Sequence, residues 1–171
     1  MPEFINPEKI LNQLKLQENM TAADFGCGSG GWTIPLAKIL EKGKVFAIDL
    51  MEEALSALKN KAELAKVSNI ESILGDLEKG TSLSINSVDL VSMTDLLFEI
   101  DDKDSLFKEA KRILKPNGKI LVVDWKIDAL LGPKSGKISA DEVKEIAKKF
   151  GFQLEKELDG GLYHYCLVFS R

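Results

Sequence analysis

The residues from Asp24 to Gly31 carry the strongest chemical signal in the sequence. They read Asp-Phe-Gly-Cys-Gly-Ser-Gly-Gly, so four of the last six positions are glycine. Glycine reaches backbone dihedrals that other residues avoid, and it lets the backbone approach a ligand closely. A helix that starts after such a loop also presents unpaired N–H groups to a ligand. The segment therefore predicts a nucleotide-type binding loop rather than a plain turn.

The spacing of these glycines leaves two kinds of ligand open. Gly26, Gly28 and Gly31 match the G-x-G-x-x-G fingerprint of dinucleotide-binding proteins, which favours a nicotinamide cofactor and an oxidoreductase. Asp24 argues against that reading, because a carboxylate two residues before the first glycine repels a pyrophosphate and attracts a cationic ligand. The chain is also short for an oxidoreductase with a separate catalytic domain.

Two further aspartates follow the next two predicted strands. Asp49 ends the second strand about 20 residues after the first glycine, the position of a carboxylate that accepts hydrogen bonds from ribose hydroxyls. Asp76 follows the third strand, where it is placed to accept from an adenine amino group while Leu77 packs on the ring. Each aspartate also has a simpler interpretation as a capping or turn residue.

The elements that must position these residues alternate between strand and helix patterns, which predicts an α/β sheet. The predicted strands are 20–25, 44–49, 70–74, 88–93, 119–125, 152–158 and 163–169. The predicted helices start at Asn6-Pro7, span 32–40 and 52–65, follow a cap at Asp104, and run to Phe150 from a capping box of Ser139 and Glu142. Pro116-Asn117-Gly118 is predicted to end the helix after Asp104. The last two strands form a hairpin-like pair, which implies a mostly parallel sheet with one antiparallel strand.

Composition predicts one cytoplasmic domain over residues 1–171, with an N-terminal helix over the site in 1–18 and the core in 19–171. A chain of 171 residues that is 44% hydrophobic and 29% charged suits a single core. A net charge of -4 makes nucleic acid an unlikely partner. Cys27 and Cys166 lie far apart, which predicts small core residues and no metal site. No stretch approaches the ~20 apolar residues that span a bilayer, and the oligomeric state stays open.

Taken together, these motifs resemble the class I S-adenosylmethionine-dependent methyltransferases, especially the small branch related to ubiquinone and menaquinone methylases. The likeness covers nearly the whole chain, with motifs at 24–30, 45–49, 75–77, 88–91 and 112–119 in the family's order. The resemblance implies a Rossmann-like, doubly wound, seven-stranded sheet, mostly parallel, with an antiparallel terminal strand. It agrees with the hairpin that the pattern of residues predicts independently.

The resemblance also implies a methyl donor, S-adenosylmethionine, and a product, S-adenosylhomocysteine. In the family, Asp24 and the backbone of Gly26 and Gly28 would hold the methionine end, Asp49 the ribose and Asp76 the adenine. The full set of implied positions is Asp24, Gly26, Cys27, Gly28, Asp49, Leu50, Asp76, Leu77, Met93 and Thr94, the last two facing the sulfonium. An NAD-dependent oxidoreductase and a non-catalytic S-adenosylmethionine-binding module are the alternatives.

A catalytic residue cannot be assigned from the sequence. Displacement from a sulfonium releases a neutral thioether, so positioning alone can supply ~7–11 kcal/mol of the barrier. A general base is needed only if the nucleophile arrives protonated. The candidates near the methyl group are Asp95, Glu99, Asp124, Trp125, Lys126, Tyr163 and His164. Trp125 and His164 are also simply explained by packing.

The sequence narrows the class of methyl acceptor only through the motifs and insertions that it lacks. Residues 93–96 read Met-Thr-Asp-Leu where many amino-group methylases have Asn/Asp-Pro-Pro-aromatic, which disfavours base and glutamine N-methylation. Apart from the N-terminal helix, only the connector 127–138 is long enough to cover the site. We therefore expect an open site that takes a small molecule or a side chain of a protein.

Overall fold

Buried apolar strands separated by amphipathic helices form a seven-stranded sheet in the computed structural model, which describes residues 4–171. The strands are β1 (Thr21–Phe25), β2 (Lys44–Asp49), β3 (Ile70–Leu74), β4 (Val88–Thr94), β5 (Leu114–Trp125), β6 (Gln153–Leu158) and β7 (His164–Ser170). The helices are α1 (Pro7–Leu11), α2 (Thr33–Ile39), α3 (Glu52–Leu64), α4 (Lys103–Ile113) and α5 (Ala140–Lys149). Within residues 4–171, no helix is long and apolar enough to cross a membrane.

The strand order is β3-β2-β1-β4-β5-β7-β6, and strands β1 to β5 run parallel to one another. Strand β7 runs antiparallel to both β5 and β6. The predicted mostly parallel sheet with an antiparallel terminal strand is confirmed. Because the winding reverses between β1 and β4, the glycine loop after β1 lies at the switch point where α/β sheets bind ligands.

Both faces of the sheet are covered, so successive residues of a strand enter different cores. In β2, Phe46 and Ile48 pack toward the core under α4 and α5, whereas Val45 and Ala47 pack toward α2 and α3. Trp32, which precedes α2 and is 8% exposed, belongs to the second core. Burial on both faces explains why the central strands are almost continuously apolar.

The N-terminal segment differs from the predicted long helix. Asn6 caps α1 by accepting a hydrogen bond from the Lys9 amide at 3.1 Å, and Pro7 takes the first helical position as predicted. The α-helix ends at Leu11, and one 3₁₀ turn carries the chain to Lys15, whose φ is +52°. The apolar residues of this segment form a stripe that is too short to support a longer helix. The stripe packs on α2.

Two details around α4 correct the sequence predictions. Asp102, not Asp104, caps the helix, because its carboxylate accepts from both the amide and the hydroxyl of Ser105 at 3.0 and 2.6 Å. Asp104 lies in the first turn and pairs with Lys149. Residues 116–118 do not separate the helix from the strand. Strand β5 begins directly after α4 at Leu114, and the register jump before Lys119 makes the Pro-Asn-Gly segment a bulge within β5.

Candidate functional site

The glycine loop joins β1 to α2 and uses positive φ angles at three of its glycines. The φ angle is +69° at Gly26, +53° at Gly28 and +95° at Gly30. A Cβ on Gly26 would lie 2.5 Å from Leu96 Cδ1, whereas one on Gly28 would meet nothing within 4 Å. Gly26 is therefore required by packing as well as by conformation. Gly28 leaves an open space in which a ligand can approach the backbone.

The end of β2 holds this loop in place. The Gly28 and Met51 amides donate to the two carboxylate oxygens of Asp49 at 2.8 and 3.0 Å. The Gly26 and Cys27 amides donate to the Ile48 carbonyl at 2.9 and 3.1 Å. A carboxylate has about four acceptor positions, so Asp49 anchors the loop and keeps capacity for further hydroxyl donors.

Asp24 lies beneath the loop and has no exposed surface. Its carboxylate accepts from the Thr33 hydroxyl at 2.6 Å and from the Ser92 hydroxyl at 2.7 Å. Burial raises the pKa of Asp24 to about 6, against the two hydroxyl donors and with help from the nearby Asp49 charge. Asp24 thus does not line the ligand space. Thr33 and Ser92 were missed, although a serine within the apolar run of β4 is a signal for such a contact.

A small cleft of about 110 Å³ lies beside the loop, below the roughly 300–1,000 Å³ of a typical small-molecule site. It lies beyond the carboxyl ends of β1, β2 and β3, together with the segment after β4. The predicted binding positions that line it are Gly26, Asp49, Leu50, Asp76 and Leu77. Leu96, Glu99 and Ile100 complete the opposite wall. The structure therefore brings three separate predicted motifs to one cleft.

Asp76 acts partly as a turn residue, which is the simpler of the two interpretations that its sequence position allows. It caps a 3₁₀ turn by accepting from the Glu78 amide at 3.1 Å, and it pairs with Lys79 at 3.1 Å. The hydrogen bond from Lys79 and the Glu78 amide hold the pKa of this carboxyl below its usual range. Asp76 is therefore an ionised acceptor at the rim of the cleft.

The remaining predicted positions lie outside the lining of the cleft. Met93 has no exposed surface, and Thr94 is 7% exposed at the end of β4. The Cys27 thiol is buried, lies 3.5 Å from the Gly28 carbonyl, and has a pKa raised far above its usual range by burial. Cys166 is likewise free and buried. Both cysteines are small core residues, as predicted.

A second group of side chains meets at the ends of β4, β5 and β7. Asp95 follows β4 with a φ of +49°, and its Oδ1 lies 3.0 Å from His164 Nε2. His164 pairs with Trp125 across β7 and β5, and their ring centroids are 4.2 Å apart. The angles at the Asp95 contact fall outside hydrogen-bond geometry. Within residues 4–171, neither ring nitrogen of His164 has a hydrogen bond.

The other catalytic candidates have structural partners. Asp124 is buried, accepts from the Leu96 and Leu97 amides at 3.1 and 2.8 Å, and has a pKa raised mainly by burial. Lys126 donates to the Gly161 carbonyl at 2.7 Å. The ring of Tyr163 lies 6.2 Å from that of Phe4. Glu99 lines the cleft, so of the seven candidates only Asp95, Trp125 and His164 form a cluster.

The connector between β5 and α5 lies over this cluster. A Cβ on Gly132 would lie 2.3 Å from the Trp125 ring, and one on Gly136 would lie 2.4 Å from the Phe98 carbonyl oxygen. The Lys137 ammonium donates to the Ala129 carbonyl at 2.8 Å, and this hydrogen bond joins the two ends of the connector. This segment forms the outer wall at the Trp125 end of the sheet.

Residues 16–165 match a family model described as a methyltransferase domain. The chain belongs to this family. It is 30% identical over 132 residues to a demethylmenaquinone methyltransferase of Bacillus cereus, covering 77% of this chain and 55% of that protein. The structure matches that of a SAM dependent methyltransferase from Aquifex aeolicus with a TM-score of 0.90 and 30% identity, over 98% of this chain and 90% of that one.

Membership in this methyltransferase family confirms the resemblance to class I enzymes related to quinone methylases and favours it over a dinucleotide oxidoreductase. The chain spans about half the length of the curated relatives it matches. A cyclase, SpnF, has the same fold with a TM-score of 0.83 at 14% identity, over 96% of this chain and 79% of that one. That likeness is one of fold alone, and fold does not determine chemistry.

Proposed function

We propose that this methyltransferase-family chain transfers the sulfonium methyl group of S-adenosylmethionine to an acceptor by direct displacement, releasing S-adenosylhomocysteine. One observation carries the proposal: every charged residue that lines the cleft is acidic, namely Asp49, Asp76, Glu78 and Glu99. Such a lining repels the pyrophosphate of a dinucleotide and attracts a sulfonium and an ammonium group. The open space at Gly28 fits close backbone contact with this ligand.

The roles of the side chains follow from their places around the cleft. In this proposal Asp49 accepts from the ribose hydroxyls with its free acceptor positions, and Leu50 covers the sugar. Asp76 and Leu77 hold the adenine. The backbone of Gly26, Cys27 and Gly28 holds the methionine end, and Thr94 borders the methyl group with Met93 behind it.

Asp24 has a different role in this proposal from the one that the family resemblance implies. With no exposed surface, it acts as a fixed charge under the loop and holds Thr33 and Ser92 in place. A buried charge close to a cationic ligand is weakly screened and contributes more than an exposed one.

The chemistry requires little beyond this placement. The bound donor supplies an electrophilic methyl carbon and a neutral leaving group. The chain orients that methyl group toward the cluster of Asp95, Trp125 and His164, where we place the acceptor. We further propose a single domain, a cytoplasmic location and a small-molecule or protein acceptor rather than nucleic acid, consistent with the net charge of -4.

Calorimetry with S-adenosylmethionine and with NAD tests the ligand. We expect saturable binding of the first and none of the second, and the reverse result would contradict the proposal. Radiolabelled methyl transfer into a cell extract, fractionated into proteins, nucleic acids, lipids and small molecules, then tests the reaction. Binding without label in any fraction would favour a non-catalytic binding module.

A further inference from the structure

The His164 imidazole is buried without the hydrogen bonds that a buried polar group normally makes. Its side chain is 3% exposed, and within the described part of the chain neither ring nitrogen has a hydrogen-bond partner. Unpaired buried polar atoms are uncommon and carry a desolvation penalty of about 1–3 kcal/mol. A histidine kept there for packing alone would be replaced by an apolar residue at a gain in stability. The arrangement therefore indicates a function for the ring.

The group that lies against this ring is the carboxylate of Asp95. Its Oδ1 is 3.0 Å from His164 Nε2, and the Asp95 side chain is 41% exposed, so one group faces the interior and the other faces solvent. The left-handed backbone of Asp95 is uncommon for a residue other than glycine and recurs at active sites. Asp95 directly follows Thr94, at the end of the strand that borders the proposed methyl group.

The other nearby carboxylates are less suited to contact an acceptor. Asp124 is fully buried and already accepts hydrogen bonds from the backbone amides of Leu96, Leu97 and Trp125. Glu99 lines the cleft on the side proposed for the donor. Asp95 is thus the carboxylate that combines exposure, a neighbouring imidazole and a place beside the end of β4.

We propose that Asp95 is the catalytic residue that receives the proton of the acceptor. His164, on the interior side of Asp95, is the positioning residue that shares this proton. The inference rests on the proposed methyl transfer and deepens it by naming the acceptor class. The acceptor is a neutral small molecule whose methylated atom carries a dissociable proton, as in a hydroxyl, thiol or aromatic amine. Trp125, whose ring is tilted against that of His164 with the centroids 4.2 Å apart, supplies an aromatic wall beside that atom.

The step balances in atoms and charge. The lone pair of the acceptor atom forms a bond to the methyl carbon, and the sulfur–carbon bond breaks with its electron pair left on sulfur. The proton of the acceptor passes to the Asp95 carboxylate, whose Oδ1 lies 3.0 Å from His164 Nε2. The sulfonium loses one positive charge while the Asp95–His164 pair loses one negative charge, so no net charge is created in the site.

Other charges near the pair bear on how strongly it holds the proton. The charged residues on the elements near His164 are Asp95 after β4, Asp124 and Lys126 on β5, Asp159 in the turn before β7, and Lys9 in α1, which lines a groove with Asp159. Lys126 and Asp159 are engaged by the backbone of Gly161. Of these charged residues, only Asp95 forms a close pair with the imidazole within the described part of the chain, at 3.0 Å.

The first test needs neither donor nor acceptor. His164 is the only histidine in the chain, so every histidine ring signal in the NMR spectrum belongs to it. The nitrogen-15 NMR signals of its ring report which nitrogen carries the proton. We expect Asp95→Asn to change the tautomer of the ring, and Asp128→Asn, an exposed carboxylate of the connector, to leave it unchanged. Identical ring spectra in wild type and Asp95→Asn would overturn the proposal.

The second test uses the labelled donor with phenol, thiophenol, aniline and the small-molecule fraction of a cell extract. A general base contributes typically 10²–10⁴-fold, so Asp95→Asn should lower kcat at least about 100-fold and abolish the rise of kcat with pH. His164→Gln should lower kcat about tenfold and shift that pH profile, while Asp128→Asn stays within about twofold. Asparagine tolerates the left-handed backbone, so the first variant keeps the fold.

The outcomes separate the two proposals. Absence of S-adenosylmethionine binding in the wild type would contradict the proposed function, while the NMR result would still decide the Asp95–His164 coupling. Methyl transfer by the wild type with an unchanged kcat and pH profile in Asp95→Asn would contradict only the proton-acceptor role. Label incorporated only into protein would contradict the acceptor class.

Discussion

Charged residues have different environments at the two edges of the sheet, the carboxyl edge where the parallel strands end and the amino edge where they begin. At the carboxyl edge, Asp24 is buried with a pKa raised to about 6, His164 has an imidazole without hydrogen bonds among the described residues, and Asp95 takes left-handed backbone. At the amino edge, Asp89 accepts from the Thr21 amide at 2.9 Å and from the Lys115 ammonium at 2.9 and 3.0 Å. The carboxyl edge thus holds a buried carboxylate without a cationic partner in the described residues, an imidazole without hydrogen bonds and an uncommon backbone conformation, whereas the amino edge pairs its carboxylate with a lysine.

The pairing near the amino edge extends to the end of α4. Glu109 accepts from the Arg112 guanidinium through both oxygens at 2.7 and 2.8 Å and from the Thr81 amide and hydroxyl at 2.8 and 2.6 Å. Burial alone would raise the pKa of Glu109, but these donors outweigh it and hold the pKa below its usual range. The family motifs at 88–91 and 112–119 thus pair their charges within the fold, whereas those at 24–30 and 75–77 contribute residues to the lining of the cleft.

The largest effect is expected when the paired region is broken. Glu109→Ala removes a buried carboxylate that accepts four hydrogen bonds from Arg112 and Thr81, while Arg112 keeps its bonds to the Thr81 and Leu83 carbonyls. We expect the free energy of unfolding to fall by about 3 kcal/mol, because hydrogen bonds to charged groups contribute about 1.5–3 kcal/mol each and the Thr81 donors lose their acceptor. Urea denaturation measures the loss, and calorimetry should find the S-adenosylmethionine affinity of the folded variant within about twofold of wild type. A large loss of affinity would contradict the division between the edges.

A mutation at the ligand edge should show the reverse pattern. Asp49→Ala removes a charged acceptor of the proposed ribose contacts and the anchor of the Gly28 amide. We expect S-adenosylmethionine binding to weaken by ~1–3 kcal/mol, since hydrogen bonds to charged groups have about that strength. Calorimetry on variant and wild type measures the change, with Glu71→Ala on the neighbouring strand as a control. Unchanged affinity in folded Asp49→Ala protein would refute the assignment.

Asp24→Asn should stabilise the fold and weaken binding at the same time. The pKa of Asp24 in the folded state, about 6, lies above its ordinary 3.8, so the native state binds the proton more tightly than the unfolded state. Wild type therefore loses stability as pH rises from about 4 through 6, and asparagine removes that loss. We expect the variant to be more stable by about 1–2 kcal/mol at pH 8 and to lose this advantage below pH 4.

Two measurements check this trade-off. Urea denaturation at pH 8 and pH 4 gives the difference in stability, and calorimetry at pH 8 gives the affinity for S-adenosylmethionine. A variant that is less stable than wild type at pH 8 would show that the carboxylate contributes more through Thr33 and Ser92 than its burial costs. The trade-off of stability for function at this edge would then be wrong.

The smallest effect is expected for Lys115→Ala at the amino edge. Its ion pair with Asp89 is 43% exposed on the lysine side, so solvent screens most of the attraction. We expect a loss of about 0.5 kcal/mol of unfolding free energy and no change in ligand affinity. Thermal denaturation at low and high salt checks this, because added salt should erase the difference from wild type.

The sheet and the placement of the cleft were predictable because periodicity and spacing are local properties of the sequence. Strand β2 occurs at the predicted residues, and Asp49 and Asp76 reach one cleft because parallel strands end at one edge. The capping box of Ser139 and Glu142 is confirmed, with both reciprocal hydrogen bonds present. In each case, a short segment contains all the information that the prediction needs.

Sequence patterns fall short where distant residues decide the outcome. Asp24 is predicted to hold the methionine end of the donor, but its sequence neighbours do not reveal that Ser92 from β4 and Thr33 from α2 enclose its carboxylate. The contact of Asp95 with His164 joins the ends of β4 and β7, which no pattern within either strand reveals. Asp102 and Asp104 are the same residue type, so the sequence does not show which of them has the backbone dihedrals of the helix cap.

The protein contains two tryptophans, and they stand at different points along the carboxyl edge of the sheet. Trp32 follows the glycine loop and packs in the core beside α2, and the ring of Trp125 lies against that of His164. Each half of the proposed site therefore carries its own fluorophore. Trp125→Phe leaves an emission that reports the donor loop, and the difference from wild type reports the acceptor end. Intrinsic fluorescence can then establish the order in which the two ligands bind, without any label.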